Sequence, residues 1–121
     1  MKTSRQLDAE ISEHQARAKL LARLRKLVAK WQRILGVKIG EVHVRKMKTY
    51  WASINERDKR VWFSLELAGQ SPKFVEYVVA HELVHMLTDG HDERFYALMD
   101  RYLPGWRQQH AMNAGPMTQH S

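Results

Sequence analysis

The stretch Ser71-Pro72-Lys73-Phe74-Val75-Glu76-Tyr77-Val78-Val79-Ala80-His81-Glu82-Leu83-Val84-His85-Met86-Leu87-Thr88-Asp89-Gly90-His91 governs the reading of the whole chain. Ser71 is a helix N-cap residue, Pro72 suits the first helical position, and Glu76 falls in the opening turns. The helix is predicted to run to about Thr88 and to stop at Asp89-Gly90. Phe74, Val75, Val78, Val79, Leu83, Val84, Met86 and Leu87 make it apolar almost all round, which predicts burial. His81 and His85 are four residues apart, so on a helix their directions differ by only about 40° and both imidazoles can grip one ion. This is the H-E-x-x-H arrangement of a zinc site. Glu82 lies one step round from His81, where it can approach a metal-bound water without being a ligand, as a general base must.

His91 comes six residues after His85, beyond a turn that lets the chain double back. Three protein ligands and a water make an open, catalytic zinc site, whereas a structural site fills all four positions. The bland reading is two core histidines bonded to backbone and a glutamate in a salt bridge. Burying such groups costs free energy unless they are paired or coordinated. Their joint placement on and just after one buried helix favours a site for one zinc ion held by His81, His85 and His91.

Outward from this helix, Asp92 to Leu103 predicts a further helix, opened by two acids and closed by Pro104-Gly105, with Phe95, Met99 and Tyr102 on its apolar side. The tail from Arg107 to Ser121 has little periodicity and is expected to be loosely ordered. Upstream, Val42 and Val44 alternate with Glu41, His43 and Arg45, as in a half-buried strand. Tyr50 to Ile54 and Val61 to Leu67 are further β-like runs, and residues 55–59 read as a hairpin loop. Val61, Phe63, Leu65 and Leu67 are expected on one face. A small, mostly antiparallel sheet of about three strands follows.

Residues from about Ser4 to Leu35 read as one long helix ended by Gly36. Leu20, Leu24, Leu27, Trp31 and Ile34 form its apolar stripe, widened by Leu21, Val28 and Leu35. Lys19, Arg23, Lys26, Lys30 and Arg33 form a basic stripe one residue, or about 100°, away.

The run His81 to Phe95 resembles the active-site stretch of the YgjP-like and SprT/Spartan-like zinc metallopeptidases. The similarity continues through Tyr77-Val78-Val79-Ala80 before it and Leu103-Pro104-Gly105-Trp106 after it. Met47-Lys48-Thr49-Tyr50-Trp51-Ala52-Ser53 resembles the Trp-Gly-Ser segment of the YgjP-like group, with Ala52 at the usual Gly. The resemblance implies a minimal zincin of the α+β class, with His81, His85 and His91 as ligands and Glu82 as catalytic base. Metzincins share the third-histidine spacing, but Thr88 stands at their Gly. The implied chemistry is peptide-bond hydrolysis by a metal-activated water. Tyr50, Tyr96 and Tyr102 are candidate transition-state donors, and Asp92 and Asp100 candidate partners of the histidines.

Composition limits the alternatives. The chain has 121 residues, 44% hydrophobic and 27% charged, which suits one globular domain over 1–121, divided into a basic helix (1–36), sheet and active-site helices (37–106) and a tail (107–121). The absence of cysteine excludes disulfide frameworks, thiolate zinc sites and thiol nucleophiles. No apolar run resembles a signal peptide or the roughly 18-residue span of a membrane helix, so a cytoplasmic protein without membrane contact is expected. Net charge is +7, and residues 1–36 carry 9 basic against 3 acidic side chains. Contact with DNA or RNA would therefore run through Lys19, Arg23, Lys26, Lys30 and Arg33, beside a protein or peptide substrate at the metal. Two other readings stay open: a three-histidine, metal-dependent endoribonuclease, whose family usually has Gly where this chain has Glu82, and a non-catalytic metal-stabilised module. His14, His43, His110 and His120 lie outside the metal spacing and are expected to be exposed.

Overall fold

Thr3 starts the first helix by a reciprocal cap: its hydroxyl accepts from the Gln6 amide at 3.1 Å, and the Gln6 side chain accepts from the Thr3 amide at 2.7 Å. A computed structural model, describing residues 1–88 and 90–111, shows this helix, α1, over Ser4–Leu35. Gly36 ends it with φ 69°, a left-handed conformation that side-chain-bearing residues resist, while its amide donates to the Gln32 carbonyl. At 32 residues, α1 is about 48 Å long.

The buried line of α1 is Leu20, Leu24, Val28, Trp31 and Leu35. It departs from the expected stripe: Leu27 is half-buried and Ile34 exposed. Adjacent apolar pairs, Leu27-Val28 and Ile34-Leu35, leave the inward member undecided by periodicity. The angle at which α1 crosses its neighbours selects it. Of the basic stripe, Lys19, Lys26, Lys30 and Arg33 are exposed and Arg23 half-buried. Lys30 pairs with Glu76 at 2.6 Å, and the same carboxylate accepts from the Trp31 indole at 3.0 Å.

Three strands follow: β1 (Glu41–Arg45), β2 (Ala52–Asn55) and β3 (Arg60–Ser64). Their order is β1-β3-β2, with β1 parallel and β2 antiparallel to β3. The sheet is therefore mixed, not mostly antiparallel. The hairpin joins β2 to β3, but residues 46–51 carry the chain from β1 to the far edge, so β3 enters between them. Val42, Val44, Ile54, Val61, Phe63 and Ala52 point to the helices, as the period-2 reading expects. The third β-like run is shorter than expected. It stops at Ser64, whose hydroxyl caps a 3₁₀ turn over Leu65–Gly69 by accepting from the Glu66 amide. Leu65 and Leu67 thus leave the strand, although Leu67 is still buried.

Helix α2 spans Pro72–Val84, capped by the Ser71 side chain, which accepts from the Phe74 amide. It ends one turn before the predicted Thr88. Met86 and Leu87 donate to Leu83 and Val84, so the backbone tightens into i→i+3 turns before reversing. Helix α3 is Glu93–Tyr102, with Asp92 as its N-cap. The expectation of a loose tail from Arg107 fails at its start, because Trp106–Ala111 forms α4. Trp106 is buried, and its indole donates to Asp100 at 2.8 Å, which ties α4 to α3. Residues 112–121, with His120, lie outside the described residues, as does Asp89.

Helices α1 and α2 pack together on the inner face of the sheet, with α3 and α4 against α2. Among the described residues, no helix is long and apolar enough to cross a membrane. The two readings of the α1 face separate by mutation. Leu24→Ala, at a fully buried position, is expected to lower unfolding free energy by about 2–5 kcal/mol. Ile34→Ala, at 38% exposure, is expected to cost about 0.5 kcal/mol or less; urea unfolding followed by circular dichroism compares them.

Candidate metal centre

Helix α2 is buried along nearly its whole length; His81 and Glu82 within it and His85 at its C-cap are buried polar side chains. The i, i+4 spacing sends both imidazoles the same way, as the sequence predicts. Their ring centroids lie 4.8 Å apart. His91 arrives from the connection to α3. Gly90 makes the reversal with φ 82°, and the Thr88 hydroxyl donates to the Gly90 carbonyl at 3.1 Å. This places Nε2 of His91 3.0 Å from Nε2 of His81 and 3.1 Å from Nε2 of His85.

These separations test the fit of an ion. One ring nitrogen has one proton or one lone pair to offer, so Nε2 of His91 cannot make both contacts as ordinary hydrogen bonds. A shared cation accounts for both. Zn–N bonds of about 2.0–2.1 Å in tetrahedral geometry put ligand nitrogens roughly 3.3 Å apart, within a few tenths of an ångström of the distances seen. The three histidines fit a metal. Burial lowers the His91 pKa, and the His110 imidazole adds to the effect. Both favour the neutral, ligating form.

Glu82 fits the same picture. Its carboxylate is fully buried, and neither oxygen has a hydrogen-bond partner among the described residues. The nearest cation candidate, Nδ1 of His81, is 3.9 Å from Oε1. Burial pushes the carboxyl well above the usual carboxylate range, and the Glu56 carboxylate pushes the same way. A divalent cation beside it would offset that cost.

Phe95, expected from its spacing on the apolar side of α3, has a role at the cluster that this spacing does not reveal. Its ring lies 5.0 Å from His81, 5.0 Å from His85 and 4.6 Å from His91, a common wall for all three imidazoles. The signal was its position four residues after His91, which puts it in the first turn of the next helix. The histidines open into a cleft of about 300 Å³ walled by Tyr77, Phe95, Tyr96, Trp106, Arg107 and His110. A larger groove of about 380 Å³ lies between α1 and β1, lined by Arg25, Gln32, Glu41 and His43. It does not adjoin the cluster.

Of the tyrosines considered as donors, Tyr96 lines the cleft and Tyr50 and Tyr102 do not. Asp92 accepts from the Phe95 amide, and Asp100 from Trp106 and Arg107. Both carboxylates thus serve in helix ends and helix packing. His110 is exposed as expected but also faces the cleft. His14 and His43 are exposed and do not line it.

The fold is shared with solved metallopeptidases. The crystal structure of the metallopeptidase zymogen of Pyrococcus abyssi abylysin superposes with TM-score 0.67 at 18% identity, covering 78% of this chain and 99% of that one. The zymogen of Methanocaldococcus jannaschii jannalysin gives TM-score 0.59 at 18% identity, covering 66% and 81%. These likenesses show the minimal zincin-like fold. No curated protein matches the chain significantly. The family described as YgjP-like, metallopeptidase domain, matches residues 2–112, a description that implies a metal cofactor, typically zinc. The chain belongs to the YgjP-like metallopeptidase family.

Proposed function

We propose that this protein is a zinc-dependent peptidase in which His81, His85 and His91 hold the ion and Glu82 is the general base. The observation that carries the reading is the convergence of three Nε2 atoms beside a buried carboxylate that has no hydrogen-bond partner among the described residues. When bound, zinc supplies Lewis acidity, polarising the scissile carbonyl and acidifying water. Glu82 is placed to take a proton from the attacking water and return it to the departing amine. Its dry surroundings raise its basicity, which suits both transfers. Phe95 holds the imidazoles in register, and the aromatic cleft beside them receives the peptide. A cysteine-free chain suits the cytoplasm as its compartment.

Glu82 also favours the peptidase over the endoribonuclease and the non-catalytic module. Neither needs a carboxylate that is costly to bury. With Glu82→Gln, bound zinc is expected to stay near one equivalent, measured by elemental analysis. Cleavage of a casein-type substrate should fall about 10²–10⁴-fold. Unchanged cleavage removes Glu82 from the mechanism, and cleavage of RNA alone by the wild type refutes the peptidase. Stripping zinc with a chelator should abolish activity and lower the melting temperature, because the ion binds the folded state preferentially. An identical melting temperature with and without zinc argues against the site.

A second activity, contact with a nucleic-acid backbone, is favoured by the state of the α1 stripe. Lys19, Arg23, Lys26 and Arg33 form no ion pair among the described residues; Lys30 alone is engaged, with Glu76. Neutralising Arg23, Lys26 and Arg33 together should lower the slope of log affinity against log salt by about 2–3. No binding of single-stranded DNA or RNA at low salt refutes this contact.

A further inference from the structure

The Tyr77–His110 pair joins α2 to α4 beside the histidine cluster. Tyr77 leaves α2 one turn before His81, on the face that carries His81 and His85. It is fully buried, and its hydroxyl lies 2.9 Å from Nδ1 of His110 on α4. Its ring is held by Trp106, parallel at 6.4 Å, and by Phe74 at 5.9 Å. Trp106 in turn packs edge-on to His110 at 6.1 Å. Among the described residues, His110 is the single hydrogen-bond partner of the phenol. The proton therefore lies as O–H···Nδ1, since the reverse would leave a buried hydroxyl hydrogen without an acceptor. A neutral imidazole that accepts at Nδ1 carries its hydrogen on Nε2. Tyr77, His81, His91 and His110 all line one cleft.

We infer that Nε2–H of His110 donates a hydrogen bond to the oxygen of the scissile carbonyl as negative charge develops there, with Tyr77 as the residue that positions it. The inference rests on the peptidase reading. Amide hydrolysis builds charge on that oxygen, and a donor fixed in advance stabilises the charge without reorganisation. The other polar groups of the cleft wall fit less well. Arg107 is drawn to Asp100 and lies over the Trp106 ring. Tyr96 is 40% exposed and stacks on Trp106, with no hydrogen bond to fix its hydroxyl among the described residues. No bond to His110 is made or broken in this role, and its proton stays on Nε2. The tautomer also separates this role from that of a fourth ligand, because binding a metal through Nε2 of a neutral ring needs the hydrogen on Nδ1.

The test compares zinc-loaded wild type with His110→Ala and Tyr77→Phe. Peptide turnover and zinc affinity are measured, and ¹⁵N-histidine spectra are recorded with and without zinc. In His110→Ala, kcat is expected to fall about 10²–10³-fold, with KM within a few-fold and zinc affinity unchanged. Tyr77→Phe keeps the ring packing and should lose about tenfold in kcat, with the Nδ1 resonance of His110 shifted in the metal-free spectrum by loss of the hydrogen bond it accepts. Wild-type turnover in His110→Ala, weakened zinc binding in that variant, or a hydrogen on Nδ1 of His110 in the wild-type spectrum overturns the inference alone. A wild type that holds zinc but cleaves no peptide overturns the proposed function and this role with it.

Discussion

The structure depends on one constraint: an almost wholly apolar helix carries two imidazoles and a carboxylate into the core. Apolar surroundings make those groups costly, and the protein answers by bringing a third imidazole to the first two. Everything near the site serves that convergence. The backbone tightens after Val84, reverses at Gly90 in a left-handed conformation, and delivers His91 within 3.1 Å of both partners. Glu82 has no such answer from the described side chains, so it stays basic and poorly solvated beside the cluster.

The aromatic packing around the site has the same logic. Phe95 contacts all three histidine rings from the first turn of α3, and Trp106 joins α3, α4 and Tyr77. Rings restrained this way would lose little freedom on taking up an ion, so less of the binding free energy would be spent on ordering. The sheet and α1 lie behind this arrangement. Their contribution is to bury α2, with Glu76 anchoring it to Trp31 and Lys30 of α1. The long helix thus has one half committed to the core and a basic stripe turned away from it, while its first turns extend past the body with Leu7 and Ile11 exposed.

Much of this was legible in the residue order, because the signals were local. The α1 boundaries, the Ser71 cap, the Asp92 cap, the alternation of Val42 and Val44 and the H-E-x-x-H face are all read within one or two turns of chain. The errors share a cause as well. Strand length at Ser64, the early end of α2 and the parallel pairing of β1 with β3 depend on what packs across from them. So does the choice of Val28 and Leu35 over Leu27 and Ile34. His110 is the clearest case: 33 residues separate it from Tyr77, and no spacing rule reaches that far.

By itself, then, the order of residues determined which groups could ligate a metal, which carboxylate stands beside them and where the principal helices begin. Those properties follow from helical geometry and from the chemistry of each side chain. Tertiary structure alone decided that Phe95 walls the cluster and that Tyr77 and His110 meet across the adjoining cleft. Such contacts join elements whose relative placement is set by burying the whole core at once, which no local pattern encodes.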